Sequence, residues 1–195
     1  MNLEDEIKYL SIQKRLKAMK PFEDANKERL KKYFSSVGLE YRDATAKEDI
    51  KDKIDCYLVN PKKNKEFSIQ LKQRTKGYND ILMEVYSDFD VPYSDNQQFA
   101  RDIVGKAELY GVINSVGRFK LFAAEPIKDL VLSTLAEVPE ETYQEFKNSY
   151  QTGIMWKKPH IELNVSKSTG KSGEGFRKLI AYIDFDVPIN HKVVP

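Results

Sequence analysis

The spacing of apolar residues in the middle of the chain is that of β-strands. Residues 53 to 60, KIDCYLVN, alternate between apolar and polar positions, and residues 67 to 74, FSIQLKQR, do so again after the turn-like PKKNKE. Two alternating segments joined by a short polar turn are typical of a β-hairpin. We therefore predict a hairpin over residues 53 to 74 at the centre of a mixed sheet.

The N-terminal residues follow a helical period instead. Residues 3 to 19 predict a charged, peripheral helix that is clearly apolar only in its first half. Because proline is disfavoured inside a helix, Pro21 predicts a break before a second helix over residues 22 to 36.

The second predicted helix places one acidic residue on its apolar stripe. Leu30, Phe34 and Val37 follow each other at helical spacing. Seven residues before Leu30 stands Glu23, which the same spacing puts on the buried side near the helix start, whereas Glu28 points to the opposite side. We therefore expect Glu23, and not Glu28, to approach the polar face of the hairpin.

The remaining elements and the size of the chain predict one α/β domain. Its 195 residues, 41% of them hydrophobic, suit a single domain with a sizeable core. Further strands are predicted near residues 80 to 88, 107 to 113, 117 to 123, 159 to 165 and 178 to 185, and helices near 95 to 105, 126 to 136 and 139 to 150. We divide the domain into a peripheral helix (1 to 20), a core (21 to 125) and a C-terminal elaboration of helices and a hairpin (126 to 195).

The two hairpin strands share one polar face. Side chains of a strand alternate between faces, and both apolar sets must face the same side of the sheet. Asp55, Gln70 and Lys72 therefore lie together on the other side. A turn centred between Lys63 and Asn64 would put Asp55 directly opposite Lys72.

This polar set has a chemical use. A carboxylate and an amide oxygen are ligands for Mg²⁺, and a nearby lysine can orient or deprotonate an attacking water and offset charge on a phosphate. The alternative is an ordinary exposed hairpin face on which Asp and Lys form a cross-strand pair.

The composition of the chain predicts its cellular location but does not show whether it binds a nucleic acid. The 32 basic and 30 acidic side chains give a net charge of +2, which neither demands nor excludes a nucleic acid. Cys56 is the only cysteine, so an internal disulfide and a Cys-rich zinc site are excluded. No apolar run approaches the length that spans a bilayer, and the N-terminus is dense in charge. We expect a cytoplasmic protein without signal peptide or membrane segment, of a composition that suits bacteria or phage.

The order of a helix with an acidic residue, a strand with Asp55, a turn, and a strand with Gln70-Leu71-Lys72 resembles the PD-(D/E)XK nuclease superfamily. Its motif has an Asp on one strand and (E/Q)-x-K on the next, and the resemblance covers roughly residues 20 to 125. It implies a restriction-endonuclease-like mixed central sheet flanked by helices, and a DNA endonuclease or exonuclease that depends on Mg²⁺ or Mn²⁺.

The resemblance also implies roles for single residues. Asp55 and Gln70 would be metal ligands, the backbone carbonyl of Leu71 a third ligand, Lys72 the catalytic lysine, and Glu23 the helical acid that several branches add.

The sequence departs from the motif at two positions. Ile54 stands where the motif's name has Pro, and Gln70 where most members have a carboxylate, which weakens Mg²⁺ binding unless Glu23 or another acid compensates. Glutamine is nevertheless tolerated in some branches, such as the similar endonuclease subunit of heteromeric transposases.

Two other interpretations stay open. The chain can be a nuclease-fold protein without catalysis that serves as a DNA-binding or protein-interaction module, because a fold does not fix a function. It can also be an unrelated α+β protein with a chance motif. A homodimer or a partner protein is compatible with the sequence.

Several residues outside the motif are candidates for further roles. Glu84 would add a carboxylate to the site or be a salt-bridged strand residue. Candidates for contacts with DNA phosphates follow the motif or surround a Gly- and Ser-rich loop, and a solvated surface predicts the same residue types: they are Arg74, Lys76, Tyr78, Lys167, Lys171, Arg177 and Lys178.

Overall fold

Two β-sheets and five helices form the described part of the chain, which a computed structural model provides for residues 3–73, 78–90, 99–113, 118–169 and 175–189. In chain order the elements are α1 (Leu3–Ser36), β1 (Glu40–Asp43), α2 (Ala46–Asp52), β2 (Cys56–Asn60), β3 (Lys65–Gln73), β4 (Asp80–Tyr86), α3 (Arg101–Val104), β5 (Leu109–Ile113), β6 (Phe119–Ala123), α4 (Ala124–Ala136), α5 (Glu140–Asn148), β7 (Gly153–Lys158), β8 (Ile161–Thr169) and β9 (Gly175–Asp184).

The first sheet is mixed and has the strand order β1-β2-β3-β5-β6. Strands β1, β2 and β3 are antiparallel neighbours, β5 runs parallel to β3, and β6 returns antiparallel to β5. The predicted mixed sheet with a central hairpin is confirmed, whereas β1, α2 and β7 were not predicted.

The hairpin register differs from the predicted one. Cys56 is opposite Ile69 and Asn60 is opposite Lys65, and Asp55, just before the paired residues, donates its N–H to the Ile69 carbonyl. The predicted turn centre was too far along the chain by one residue. A shift of the partner by two residues keeps the side chains of the paired strands on their faces, and Asp55, Gln70 and Lys72 line one cleft, in agreement with the prediction that they share a face.

The second sheet is antiparallel and has the strand order β4-β9-β8-β7. Strand β4, which was predicted near residues 80 to 88 within the core range, pairs with β9 near the C-terminus. The ranges 21 to 125 and 126 to 195 therefore share a sheet. A cluster of buried apolar side chains from both sheets and α4 includes Val85, Val112, Ile127 and Leu163.

Helix α1 is continuous, so the predicted break at Pro21 is wrong. Proline removes one backbone hydrogen bond of a helix, and the helix continues on either side of it. Asn26, Leu30 and Phe34 are buried, and the latter two pack on the first sheet, while Val37 is exposed.

Glu23 is exposed, so its predicted place on the buried stripe is also wrong. Among the side chains of α1 that the structure describes, those before Asn26 are all exposed, and the helix meets the sheet only from Asn26 onwards. None of the helices in the described ranges is long and apolar enough to cross a membrane.

Candidate active site

Asp55, Gln70 and Lys72 line one cleft of about 420 Å³ between the two sheets. The opposite wall is formed by Glu84 of β4 and Asp102 of α3. The structure thus brings together the three motif residues that the sequence predicted, and adds two acidic side chains from elements outside the hairpin.

The connection between α2 and β2 positions Asp55. Helix α2 begins with a capping box, in which Thr45 and Glu48 exchange hydrogen bonds, and it is capped at its other end by Lys53, whose left-handed conformation (φ 57°) turns the chain. The Asp55 N–H then donates to the Ile69 carbonyl at 2.8 Å. This bond holds Asp55 beside β3 just before the regular pairing begins.

The Asp55 carboxylate faces the backbone of the Gln-x-Lys strand. Its Oδ2 accepts a hydrogen bond from the Leu71 N–H at 2.5 Å. Because the N–H and C=O of one strand residue point to the same side, the Leu71 carbonyl is directed to the strand edge on which Asp55 lies. Asp55 and this carbonyl are therefore neighbours.

Burial raises the pKa of Asp55 to about 6, although the hydrogen bond from Leu71 and the charge of Lys72 act in the opposite direction. A carboxylate that loses hydration without gaining a full counter-charge favours a nearby cation. Asp55 is thus poised to gain from a bound metal ion.

The side-chain amide of Gln70 forms a hydrogen bond through its nitrogen but not, among the described residues, through its oxygen. Its Nε2 donates to Asp102 Oδ1 at 3.0 Å. Its Oε1 is buried and has no hydrogen-bond partner among the described residues. A buried acceptor without a partner costs about 1–3 kcal/mol, and an amide oxygen is a ligand that Mg²⁺ accepts.

Lys72 is held by an ion pair inside the cleft. Its Nζ lies 2.6 Å from Asp102 Oδ2, and the two side chains are only 16% and 10% exposed. The ammonium is therefore fixed beside the Asp55 and Gln70 side chains and cannot swing freely into solvent.

Asp102 is the site residue that the sequence reasoning missed. Its Oδ2 also accepts from the Glu84 N–H at 2.9 Å, and its own carbonyl accepts from the Tyr110 hydroxyl at 2.7 Å. Burial alone would raise the pKa of Asp102, but the charge and hydrogen bond of Lys72, with those of Glu84 N–H and Gln70, hold it below its ordinary value. The only signal was an acid within the predicted helix at 95 to 105, of which 95–98 lie outside the described residues.

Glu84 lies in the cleft and also forms a salt bridge, the two placements that the sequence left open. It lines the cleft, and its Oε1 accepts from Lys178 Nζ at 2.7 Å. It is therefore a salt-bridged strand residue in this structure, and Lys178 is engaged by the protein itself.

Neither helical glutamate reaches the cleft. Glu23 does not line it, and a polar contact from α1 to β3 is made by Asn26, whose Nδ2 donates to Gln73 Oε1 at 3.0 Å. Glu28 is exposed and pairs with Lys31. The predicted approach of Glu23 to Asp55 is therefore not supported, because the sheet-facing position of the helix is occupied by Asn26.

The predicted phosphate contacts have different outcomes. Arg74, Lys76 and Lys171 lie outside the described residues, and Lys167 is exposed on β8. Tyr78 is exposed but lines another groove.

Arg177 is not available for a phosphate, because it is buried at 4% exposure. Its guanidinium pairs with Asp90 and donates to backbone carbonyls, including those of Phe146 and Gln151.

A larger groove of about 850 Å³ lies along the second sheet. It contains an exposed His160–Asp184 pair at 3.1 Å, flanked by lysines and acids in similar number. It shares no lining residue with the Asp55 cleft. We favour the smaller cleft as the chemical site because its acidic side chains, Gln70 and Lys72 are buried or half-buried and converge.

A metal ion in the cleft would depend on few charged ligands. In the described ranges, no three His, Cys, Asp or Glu side chains are grouped so that they could hold a metal. The residues that fit one are Asp55 as the carboxylate, the unpartnered Gln70 Oε1 and the Leu71 carbonyl, with waters completing the shell.

The comparisons with known proteins do not assign the chain to a family. No family matches it, and neither a curated protein nor a solved structure shows significant similarity to it.

Proposed function

We propose that this chain is a divalent-metal-dependent nuclease that hydrolyses DNA phosphodiester bonds in the Asp55 cleft. The observation that carries the proposal is the buried, unpartnered Oε1 of Gln70 in the same cleft as Asp55 and Lys72. An ordinary exposed hairpin face would leave this oxygen in water, where it would need no partner.

The arrangement of elements supports the same proposal. Helix α1 precedes three antiparallel strands, and the fourth strand of the sheet, β5, runs parallel to β3. Asp55 directly precedes β2, and Gln70 and Lys72 stand on β3. This arrangement is compatible with the mixed sheet that the resemblance to PD-(D/E)XK nucleases implies.

Asp55, Gln70 Oε1 and the Leu71 carbonyl are the residues that would hold Mg²⁺ or Mn²⁺. Such an ion lowers the pKa of a bound water and neutralises charge on a phosphate. Asp55 must be ionised to bind the metal ion. Because burial raises its pKa to about 6, we expect metal binding to weaken as the pH falls below that value.

Lys72 supplies the positive charge of the site. An ammonium group has three donors, so the ion pair with Asp102 leaves two for a phosphate oxygen or an attacking water. Asp102 keeps the lysine in place, and the fixed charge needs no rearrangement when negative charge develops on the phosphate.

The low number of carboxylate ligands affects the choice of metal. With one acid and two neutral oxygens, we expect weaker binding than in a site of three carboxylates. Mn²⁺ binds mixed oxygen sites more tightly than Mg²⁺. We therefore expect Mn²⁺ to support more activity than Mg²⁺.

The test is cleavage of single-stranded, double-stranded and branched DNA by the purified chain in Mn²⁺ or Mg²⁺. We expect cleavage that chelator abolishes and that Lys72→Ala lowers on the order of a hundredfold. Lys106→Ala is the matched control, because Lys106 also pairs with an aspartate, Asp52 at 2.8 Å, but is 71% exposed and does not line the cleft.

A wild-type chain that cuts none of these substrates in Mn²⁺ would contradict the proposal. The chain would then be better described as a module with a nuclease-like sheet that binds DNA or a protein without catalysis.

A further inference from the structure

The carboxylate that the nuclease resemblance expects at position 70 has a counterpart beside it at position 102. Gln70 Nε2 donates to Asp102 Oδ1 at 3.0 Å, so an amide and a carboxylate form one unit on the wall of the cleft. We infer that Asp102 is a positioning residue, which turns the amide oxygen of Gln70 toward the metal position. The inference rests on the proposed function.

Three donors contact the Asp102 carboxylate in the described part of the chain. Its two oxygens accept from Gln70 Nε2, from Lys72 Nζ and from the Glu84 N–H. An ionised carboxylate accepts and never donates, so each of these contacts is satisfied.

The same contacts fix the orientation of the Gln70 amide. If the amide turned over, its oxygen would face the Asp102 carboxylate, and two acceptors would be pressed together in a buried place. The nitrogen therefore faces Asp102, and Oε1 is left without a protein partner. This oxygen is therefore open to a donor or to a cation, and a metal ligand is the role that we assign to it.

Asp102 also carries a negative charge next to Gln70, and it shares that charge with Lys72, whose Nζ lies 2.6 Å away. The Asp102 side chain is 10% exposed, so its charge is poorly screened by solvent. It accepts a hydrogen bond from Nε2 of the same amide group that carries the proposed ligand oxygen. Gln70, Asp102 and Lys72 thus form one connected group, in which Asp102 holds both the amide and the ammonium.

Asp102→Asn tests the orientation directly. Oδ2 of Asp102 meets two donors and Oδ1 meets one, so an asparagine will keep its oxygen toward Lys72 and Glu84. Its amide nitrogen then faces Gln70, which turns over and presents Nε2 to the cleft. We expect Mn²⁺ affinity to fall by about tenfold or more, the range for losing a partner of a metal ligand.

The swap Gln70→Glu with Asp102→Asn is the decisive variant. It keeps the total charge of the pair, because the carboxylate and the amide change places. The new glutamate accepts from the asparagine with one oxygen and presents the other to the cleft. We expect Mn²⁺ affinity to return at least to that of the wild type, which a merely structural role of Asp102 would not produce.

Gln70→Glu alone completes the set of four proteins. It places two carboxylates against each other, so the metal-free protein is expected to melt at a lower temperature at pH 8 than the wild type. The swap should recover that loss. Asp52→Asn is the matched control, since it removes the same charge from an ion pair outside the cleft.

Mn²⁺ binding by calorimetry and thermal melting of all four proteins and the control give distinct outcomes. Unchanged Mn²⁺ affinity of Asp102→Asn, or a swap that binds no better than Asp102→Asn, overturns this inference while the proposed function stands. A folded wild type that binds no Mn²⁺ overturns both. A loss of Mn²⁺ affinity in Asp102→Asn, together with its recovery in the swap, supports the inference whether or not DNA is cut.

Discussion

Lys72 Nζ and Asp102 Oδ2 lie 2.6 Å apart in the cleft between the two sheets, joining a strand of the first sheet to the short helix α3. Both side chains are largely withdrawn from water. Removing one charge of such a pair leaves the other buried without compensation, which costs more than the pair itself contributes.

Lys72→Ala is therefore expected to lower the free energy of unfolding by about 3 kcal/mol at neutral pH. Lys72 holds the pKa of Asp102 below its ordinary value, and without it burial raises that pKa. The folded variant then binds a proton more readily than its unfolded state does, so the deficit should shrink as the pH falls. Urea unfolding at pH 8 and pH 5 measures this, and a deficit independent of pH would contradict it.

Asp55→Asn is expected to stabilise the metal-free protein at pH 8. The pKa of Asp55 is raised to about 6 in the folded state, so its ionised form opposes folding above that pH. The wild type should lose stability relative to Asp55→Asn as the pH rises through 6, and the two should converge below the ordinary pKa of an aspartate. Melting curves in chelator across this range show the effect. A variant that melts lower than the wild type at pH 8 would refute the electrostatic account of Asp55.

Glu23→Ala is expected to leave Mn²⁺ affinity and stability close to those of the wild type. Glu23 is exposed and does not line the cleft, and surface substitutions of this kind change stability by about 0.5 kcal/mol or less. Asp55→Ala, measured beside it, should abolish Mn²⁺ binding. Loss of Mn²⁺ binding in Glu23→Ala would show that the helix bends toward the cleft when metal binds.

Arg177→Gln is expected to destabilise the protein rather than to weaken DNA binding. Its guanidinium is buried, pairs with Asp90 and donates to carbonyls of the α5 region. Its removal therefore leaves a carboxylate and several backbone carbonyls without their hydrogen-bond donor. We expect a loss of about 3 kcal/mol or more. Lys167→Gln is the comparison, because Lys167 is exposed on the paired strand β8. If Lys167→Gln weakens binding to DNA without changing the melting temperature of the protein, Lys167 contacts phosphates.

The period of the side chains was sufficient to predict part of this site. Alternation in two strands places Asp55, Gln70 and Lys72 on one face whichever even register the turn selects, and the actual register differs from the predicted one by two residues. The turn itself could not be placed from sequence, because several adjacent residues in PKKNKE are compatible with it.

Asp102 could not be predicted because its partners are distant in sequence. It is separated by 32 residues from Gln70, and α3 is only four residues long, which is too short for a helical period to show a buried side. Its position is set by tertiary contacts with Tyr110 and the Glu84 backbone.

Glu23 was misplaced for a related reason. Helical spacing gives the phase of a side chain around the helix, but not the point along the helix at which packing begins. In α1 packing begins at Asn26, one turn after Glu23.

The most direct test of the central claim is to locate a bound Mn²⁺ by its broadening of backbone amide signals in ¹⁵N-labelled protein. We predict that the amides of Asp55, Leu71 and Lys72 broaden first, that Asp55→Asn removes the effect, and that signals near His160 and Asp184 stay sharp at the same Mn²⁺ concentration. Broadening that begins around His160 and Asp184, or that is unchanged by Asp55→Asn, would contradict a metal-dependent site in the Asp55 cleft.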